Sequence, residues 1–304
     1  MKKQLMLAAL TLAASSFAQS KDAGAPAAPA PAAAKPTAAL TVKDGIATPE
    51  SVLYDAETDT YLVSNINGAP LDKDNNGYIT EIAPDGKIVA AKLIAGGTKG
   101  VTLNAPKGLA LVKGTLYVAD IDTVRLFDRK TGVAKGEVKV PGATFVNDLA
   151  ASEDGKVYLT DSGLNAKFEG TGTDGLYVIE GKKLKTLLKD KKLNKPNGVL
   201  VTKDAIYVVT FGAPELQKYD LKGKQVGEAT KLPKGSLDGI IAIGDEFIVS
   251  SWEGSALYRG KFGGEFKEIA GELKAPADIG FDTKRSRVLV PRFQENFVEA
   301  WDVK

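Results

Sequence analysis

The tripeptide Pro196-Asn197-Gly198 is followed, ten residues beyond its middle position, by the apolar-aromatic run Tyr207-Val208-Val209. The same pairing recurs along the chain. Pro49-Glu50-Ser51 leads to Tyr61-Leu62-Val63, Pro106-Lys107-Gly108 to Tyr117-Val118-Ala119, and Val146-Asn147-Asp148 to Tyr158-Leu159-Thr160. Leu237-Asp238-Gly239 leads to Phe247-Ile248-Val249, and Pro276-Ala277-Asp278 to Val288-Leu289-Val290. The strand starts 9 to 11 residues after the middle of each triplet, and successive triplets lie 57, 40, 50, 41 and 39 residues apart. Six copies share residues 40–304, about 44 residues each. Short β-rich runs alternate with Gly, Asp and Asn turns throughout, without a convincing helical stretch. That period is the period of four-stranded propeller blades.

Each unit continues into a third strand, as in Val124–Phe127, Leu176–Ile179, Leu216–Tyr219 and Ala256–Arg259, and then a fourth, as in Glu137–Val140. The chain ends on a third strand, Val298–Val303, that lacks its fourth. Ala39–Val42 is expected to supply it, which closes the ring and removes an open sheet edge. The expectation is an all-β, six-bladed β-propeller, one domain over residues 40–304.

Upstream of the repeats, Lys2 and Lys3 precede the apolar run Leu5–Ala14, and Ser16-Phe17-Ala18 places small residues where a signal peptidase reads. This three-part pattern predicts a secretory signal peptide over residues 1–18; its apolar run is shorter than the about 20 residues of a membrane span. Residues 19–39 are dominated by Ala and Pro and read as an extended tether. The protein is therefore expected to be exported, periplasmic or secreted, without membrane insertion, and monomeric.

Composition narrows the chemistry. The 304 residues carry 40 Lys+Arg and 38 Asp+Glu, a formal charge of +2, with neither Cys nor His. Without Cys there is no disulfide framework, thiolate zinc site or iron–sulfur cluster. Without His there is no Ser-His-Asp triad and no imidazole base. A balanced charge argues against a nucleic-acid partner. The seven Lys within residues 182–195 lack interleaved aromatics for base stacking and are expected on a solvated outer edge, where Lys discourages edge pairing.

In a propeller the first strand of each blade lines the central channel, so the six triplets ring one mouth. The ring contains Glu50, Lys107, Asn147, Asn197, Asp238 and Ala277. Two carboxylates and two amides converging on one axis suit a hard divalent cation such as Ca²⁺; the alternative is that Asn and Asp only make turns before the first strand. Lys107 could pair with Glu50 and weaken or replace the cation, bind an anionic substrate group, or point into channel water. Phe211, Trp252 and Arg292, expected just after the second strands of blades four, five and six, could wall a substrate pocket or be exposed rim side chains. The long loops Asn65–Gly77 and Ser162–Gly175 are candidate lids. Asp72–Gly77 resembles the start of an EF-hand, but its twelfth position is Ala83, so the bidentate Glu is missing and a polar turn is expected.

The stretches Thr48–Leu53, Asn147-Asp148 with Thr160-Asp161-Ser162-Gly163, Pro196-Asn197-Gly198 and Asp238-Gly239 resemble the SMP-30/gluconolactonase family of six-bladed, metal-dependent lactonases, over roughly residues 40–304. The resemblance implies metal ligation by Glu50, Asn197 and Asp238, with Asn147 beside the metal, touching its water or the substrate. Sugar-lactone members carry Arg two residues before that Asn; here the position is Phe145, which argues against a sugar substrate. The expected function is hydrolysis of a small lactone or ester. Ca²⁺ polarises the carbonyl, Asp238 accepts the proton of water, and Asn147 holds the substrate or the oxyanion. Asp238 and Asn147 are thus the catalytic candidates; Asn147, Lys107, Phe211, Trp252 and Arg292 are the substrate-binding ones. The rival class is a non-catalytic, NHL-like propeller that binds a small ligand or protein at its mouth.

Overall fold

The computed structural model describes residues 38–98 and 100–303, and within them every repeat becomes one four-stranded antiparallel sheet. The expected signal peptide (1–18) and all but the last two residues of the expected tether (19–39) lie outside the described residues.

Strand β1 (Leu40–Val42) comes first. Blade one is β2 (Pro49–Asp55), β3 (Thr60–Asn65), β4 (Tyr78–Ile82) and β5 (Ile88–Ala95). Blade two is β6 (Pro106–Val112), β7 (Thr115–Asp120), β8 (Thr123–Asp128) and β9 (Ala134–Lys139). Blade three is β10 (Val146–Ala151), β11 (Val157–Asp161), β12 (Gly175–Glu180) and β13 (Lys183–Lys189). Blade four is β14 (Pro196–Val201), β15 (Ile206–Thr210), β16 (Glu215–Tyr219) and β17 (Thr230–Lys231). Blade five is β18 (Leu237–Ile243), β19 (Glu246–Ser251), β20 (Ala256–Gly260) and β21 (Phe266–Ala270). Blade six is β22 (Gly280–Asp282), β23 (Arg287–Arg292) and β24 (Phe297–Asp302), completed by β1.

The expected six-bladed propeller is thus the observed fold, with the expected closure. Leu40, Thr41 and Val42 pair with Ala300, Glu299 and Val298. At the same seam, Asp278 N donates to Glu50 O (2.9 Å) and Tyr61 Oη to Asp282 (2.7 Å).

The strand types follow burial. Second strands such as β3 and β11 are buried along their whole length, with an apolar run followed by buried polar residues at the end nearest the mouth. Fourth strands such as β9 and β13 are largely exposed and Lys-rich; most of the 182–195 lysines lie on or just beyond that outer edge. Six apolar clusters, one between each pair of neighbouring blades, form the core. The blades are held by what lies between them.

The triplets found in the sequence have a structural identity of their own. At Pro49/Ser51, Pro106/Leu109, Val146/Leu149, Pro196/Val199 and Leu237/Ile240 the register of the first strand slips against the second. Each triplet is a β-bulge, which bends the strand and re-aims a side chain. The re-aimed residues are Glu50, Lys107, Asn147, Asn197 and Asp238.

The glycines beside two of them are required by proximity. A Cβ on Gly198 would stand 2.2 Å from Asp238 O, and one on Gly239 2.3 Å from Ile279 N. Adjacent first strands approach so closely at the axis that only hydrogen fits.

Candidate functional site

The bulged residues converge on one cavity at the channel mouth. Glu50, Lys107, Asn147, Asn197 and Asp238 line its floor; Ile66, Pro70, Phe145, Leu164, Phe168, Phe211, Trp252 and Phe293 line its walls and rim. All five floor residues are buried. Asp148 and Asp278 line a second cavity, walled by the first strands of the blades.

Among the described residues, four buried floor oxygens have no hydrogen-bond partner: Glu50 Oε2, Asn147 Oδ1, Asn197 Oδ1 and Asp238 Oδ1. Buried polar atoms are normally paired, because each unpaired one costs its desolvation penalty. Four orphan acceptors on one cavity form a donor set for a hard cation with oxygen ligands. Glu50, Asn197 and Asp238 supply two formal charges and a carbonyl, with the Asn147 carbonyl beside them.

The orientation of Asn147 is set by its neighbour. Ser162 Oγ donates to Pro196 O (2.6 Å), which uses its only proton. It can therefore only accept from Asn147, and Asn147 Nδ2 donates to it at 2.9 Å. The carbonyl Oδ1 is left facing the cavity. This revises the expected oxyanion-holding role: Asn147 presents an acceptor, suited to a cation or to a water proton, and not a donor for a negative oxygen.

Electrostatics point the same way. Burial, and then the charges of Asp238 and Asp278, push the Glu50 carboxyl well above its usual range, while Lys107 opposes them. Burial and the Asp278 charge likewise push Asp238 up. The Trp252 indole and the Asn197 amide face its carboxylate closely enough to favour the charged form, although neither Trp252 Nε1 nor Asp238 Oδ1 reaches ordinary hydrogen-bond geometry. Asp148 is raised by burial and by Asp278. Asp278 is pushed up to about 7 by burial, against a hydrogen bond donated by Ser51 Oγ. Buried acids crowded together resist ionising at once unless positive charge is supplied.

Of the three readings open for Lys107, the structure overturns the one that points its head into channel water. Its side chain is fully buried and does not point into channel water. Nζ donates to Pro70 O (2.8 Å) and Ala105 O (3.0 Å) and sits 4.6 Å from the centre of the Phe145 ring. Two of its three donors are spent on backbone carbonyls, one of which pins the loop Asn65–Gly77 over the cavity.

Phe211 and Trp252 line the cavity, whereas Arg292 does not. The guanidinium of Arg292 binds Glu299 (2.7 Å), Glu295 and the Glu272 carbonyl (3.0 Å). The reason is a one-residue displacement. Phe211 and Trp252 follow the last residues of β15 and β19, Thr210 and Ser251, whereas Arg292 is itself the last residue of β23. Alternate residues of a strand face opposite ways, so the equivalent of Phe211 and Trp252 is Phe293, which does line the cavity. The last residue of a second strand is a staple: Asn65 Oδ1 accepts from Ala47 N, Asp120 Oδ1 from Ala105 N (2.9 Å), and Asp161 Oδ1 from Phe145 N (2.9 Å).

Both long loops contribute to the rim, through Pro70 in one and Leu164 and Phe168 in the other. Asp72–Gly77 is a polar turn: Asn75 Oδ1 accepts from Leu103 N (2.8 Å) and Asn75 N donates to Asn104 Oδ1 (3.1 Å), so its amides serve the fold.

No family model matches the chain, and no curated protein matches it significantly. Solved structures do. A gluconolactonase from Xanthomonas campestris is 17% identical with a TM-score of 0.67, over 89% of this chain and 94% of that one. A calcium-binding protein, regucalcin, from Agrobacterium tumefaciens is 18% identical with a TM-score of 0.63, over 88% and 94%. A streptogramin B lyase is 10% identical with a TM-score of 0.61, over 87% and 98%. At these identities the likeness is one of fold.

Proposed function

We propose that this protein is a divalent-cation-dependent hydrolase of a small lactone or ester, acting outside the cytoplasm as a gluconolactonase-like propeller. The observation that carries the proposal is the set of four buried, unpartnered oxygens on one cavity floor. The likeness in fold to a gluconolactonase and to a calcium-binding regucalcin supports it.

Glu50, Asn197 and Asp238 would hold the cation, most simply Ca²⁺, with Asn147 Oδ1 completing the floor. When bound, the cation supplies Lewis-acid polarisation of the substrate carbonyl and acidifies a bound water. The chain's own residues do the rest. Glu50, pushed up by burial and the Asp238 charge, and Asp238, pushed up by burial and the Asp278 charge, would be drawn back to the carboxylate form by a bound cation. Asp238, with one oxygen free of protein partners, can accept the proton of the attacking water. Asn147 Oδ1 can accept a hydrogen bond from that water and aim its lone pair. The apolar walls exclude bulk water and so strengthen each of these interactions.

Calcium binding by calorimetry and lactone hydrolysis with and without chelator test the proposal together. Wild type is expected to bind one Ca²⁺ and to lose hydrolysis on chelation. Asp238→Asn, which removes one ligand charge, is expected to weaken Ca²⁺ binding by more than about tenfold. Hydrolysis that ignores both chelator and Asp238→Asn would overturn the mechanism. Ligand binding without turnover would favour the non-catalytic propeller.

A further inference from the structure

The cavity is chemically divided. Its polar groups are confined to the floor, and above them the wall is a connected set of aromatic rings. Phe145 lies 6.3 Å from Phe168, Phe168 lies 6.1 Å from Phe211, and Phe211 lies 5.7 Å from Trp252, centre to centre. Trp252 continues the series to Phe293 at 5.0 Å. The rings come from four blades and one long loop, so their convergence is a product of the fold and not of a local run of sequence.

Phe168 is the centre of this wall, and its backbone is held in an unfavourable conformation. It has φ of +59°, a left-handed value that a bulky residue avoids. Phe168 N donates to Asn165 O (2.9 Å), and Lys195 Nζ donates to Phe168 O (3.1 Å). A strained aromatic held from both sides, with its ring touching Phe145, Phe211 and Trp252, is a built part of the wall.

The wall offers almost no hydrogen bonds. Its one polar group is Trp252 Nε1, which faces Asp238 on the floor. Lys107, the only cation among the described residues that line the cavity, is committed to the Pro70 and Ala105 carbonyls. A substrate hydroxyl pressed against this wall would lose its water and gain no partner, whereas a methylene or aryl ring would gain from leaving water.

We infer that the substrate is an apolar lactone or ester, whose carbonyl meets the polar floor and whose alkyl or aryl substituent fills the aromatic wall, and not a polyhydroxylated sugar lactone. This rests on the hydrolase reading above.

The test compares kcat/KM, in Ca²⁺-containing buffer, for δ-valerolactone, δ-lactones with alkyl chains of increasing length, a phenyl-substituted δ-lactone, and glucono-1,5-lactone. Hydrolysis is expected to improve by up to about fourfold per added methylene until the cavity is full, with the sugar lactone poorest. Phe168→Ala and Phe211→Ala are expected to flatten that gradient. A flat gradient in the wild type, or a preference for the sugar lactone, overturns the inference and leaves the hydrolase reading standing.

If no lactone is hydrolysed, the hydrolase reading fails and binding decides the wall. Trp252 fluorescence is then followed in Trp301→Phe protein, where Trp252 is the sole tryptophan, during titration with an alkyl δ-lactam and with gluconolactam. Quenching by the alkyl lactam at lower concentration upholds the apolar site. Equal or tighter binding of the sugar lactam, or binding of neither, overturns it.

Discussion

Lys107 is a charged group that folding removes from water completely. Burial is the largest influence on it and pushes its ammonium down to about 8, against the Glu50 and Asp120 charges that hold it up. In the unfolded chain it titrates near its ordinary value of 10.5. Between those two values the unfolded state binds the extra proton and the folded state does not, so stability rises with pH through that window. The cost of burying the ammonium is fully present below pH 8 and gone above 10.5. Lys107→Met has no such titration. The difference in unfolding free energy between wild type and K107M should therefore move in favour of wild type as pH rises from 8 to 10.5, measured by denaturant unfolding on either side of the window. A difference that does not change with pH would mean that the ammonium reaches solvent in the folded protein. The residue identity is plain in the sequence; its burial is not, because a Lys beside a strand start can as easily extend its head into water.

Among the elements, the recurring bulge is the device that makes the site. It appears in sequence as a triplet with Gly in third place in three of the six copies, and the spacing was enough to locate the mouth. The physical demand for that glycine was not legible, since it depends on the neighbouring blade. A Cβ at position 198 would collide with the Asp238 carbonyl at 2.2 Å, and backbone has little room to yield. Gly198→Ala should destabilise the protein by about 1–3 kcal/mol or more and weaken Ca²⁺ binding, because Asn197 and Asp238 would be pushed apart. Thermal unfolding and calcium calorimetry check it; unchanged values in both would show that the first strands are not in close contact. The displacement from Arg292 to Phe293 has a similar origin. Strand ends are uncertain by a residue or two when read from sequence, and one residue decides which way a side chain faces.

At the scale of the whole molecule, the ring depends on β1, which covers the edge of β24. Val42 is buried in the cluster between blades six and one, a burial worth about 1.5–3 kcal/mol. A chain starting at residue 44 should therefore unfold at least about 5 °C below one starting at residue 38, and it should associate as concentration rises because the β24 edge is uncovered. Calorimetry and light scattering on the two proteins test this. Equal melting temperatures and equal monomer content would show that closure rests instead on the contacts of Glu50 and Val52 with Asp278 and of Asp59 with Arg285.

The sequence alone determined the repeat, the number of blades, the closing strand and which residues surround the channel. All of these follow from local periodicity, which a linear chain displays directly. Tertiary structure decided which atoms face the cavity: the carbonyl of Asn147, the committed ammonium of Lys107, the outward turn of Arg292 and the aromatic wall around Phe168. Those outcomes depend on proton accounting and van der Waals contact between residues distant in the chain, and such contacts exist only once the blades have closed around their axis.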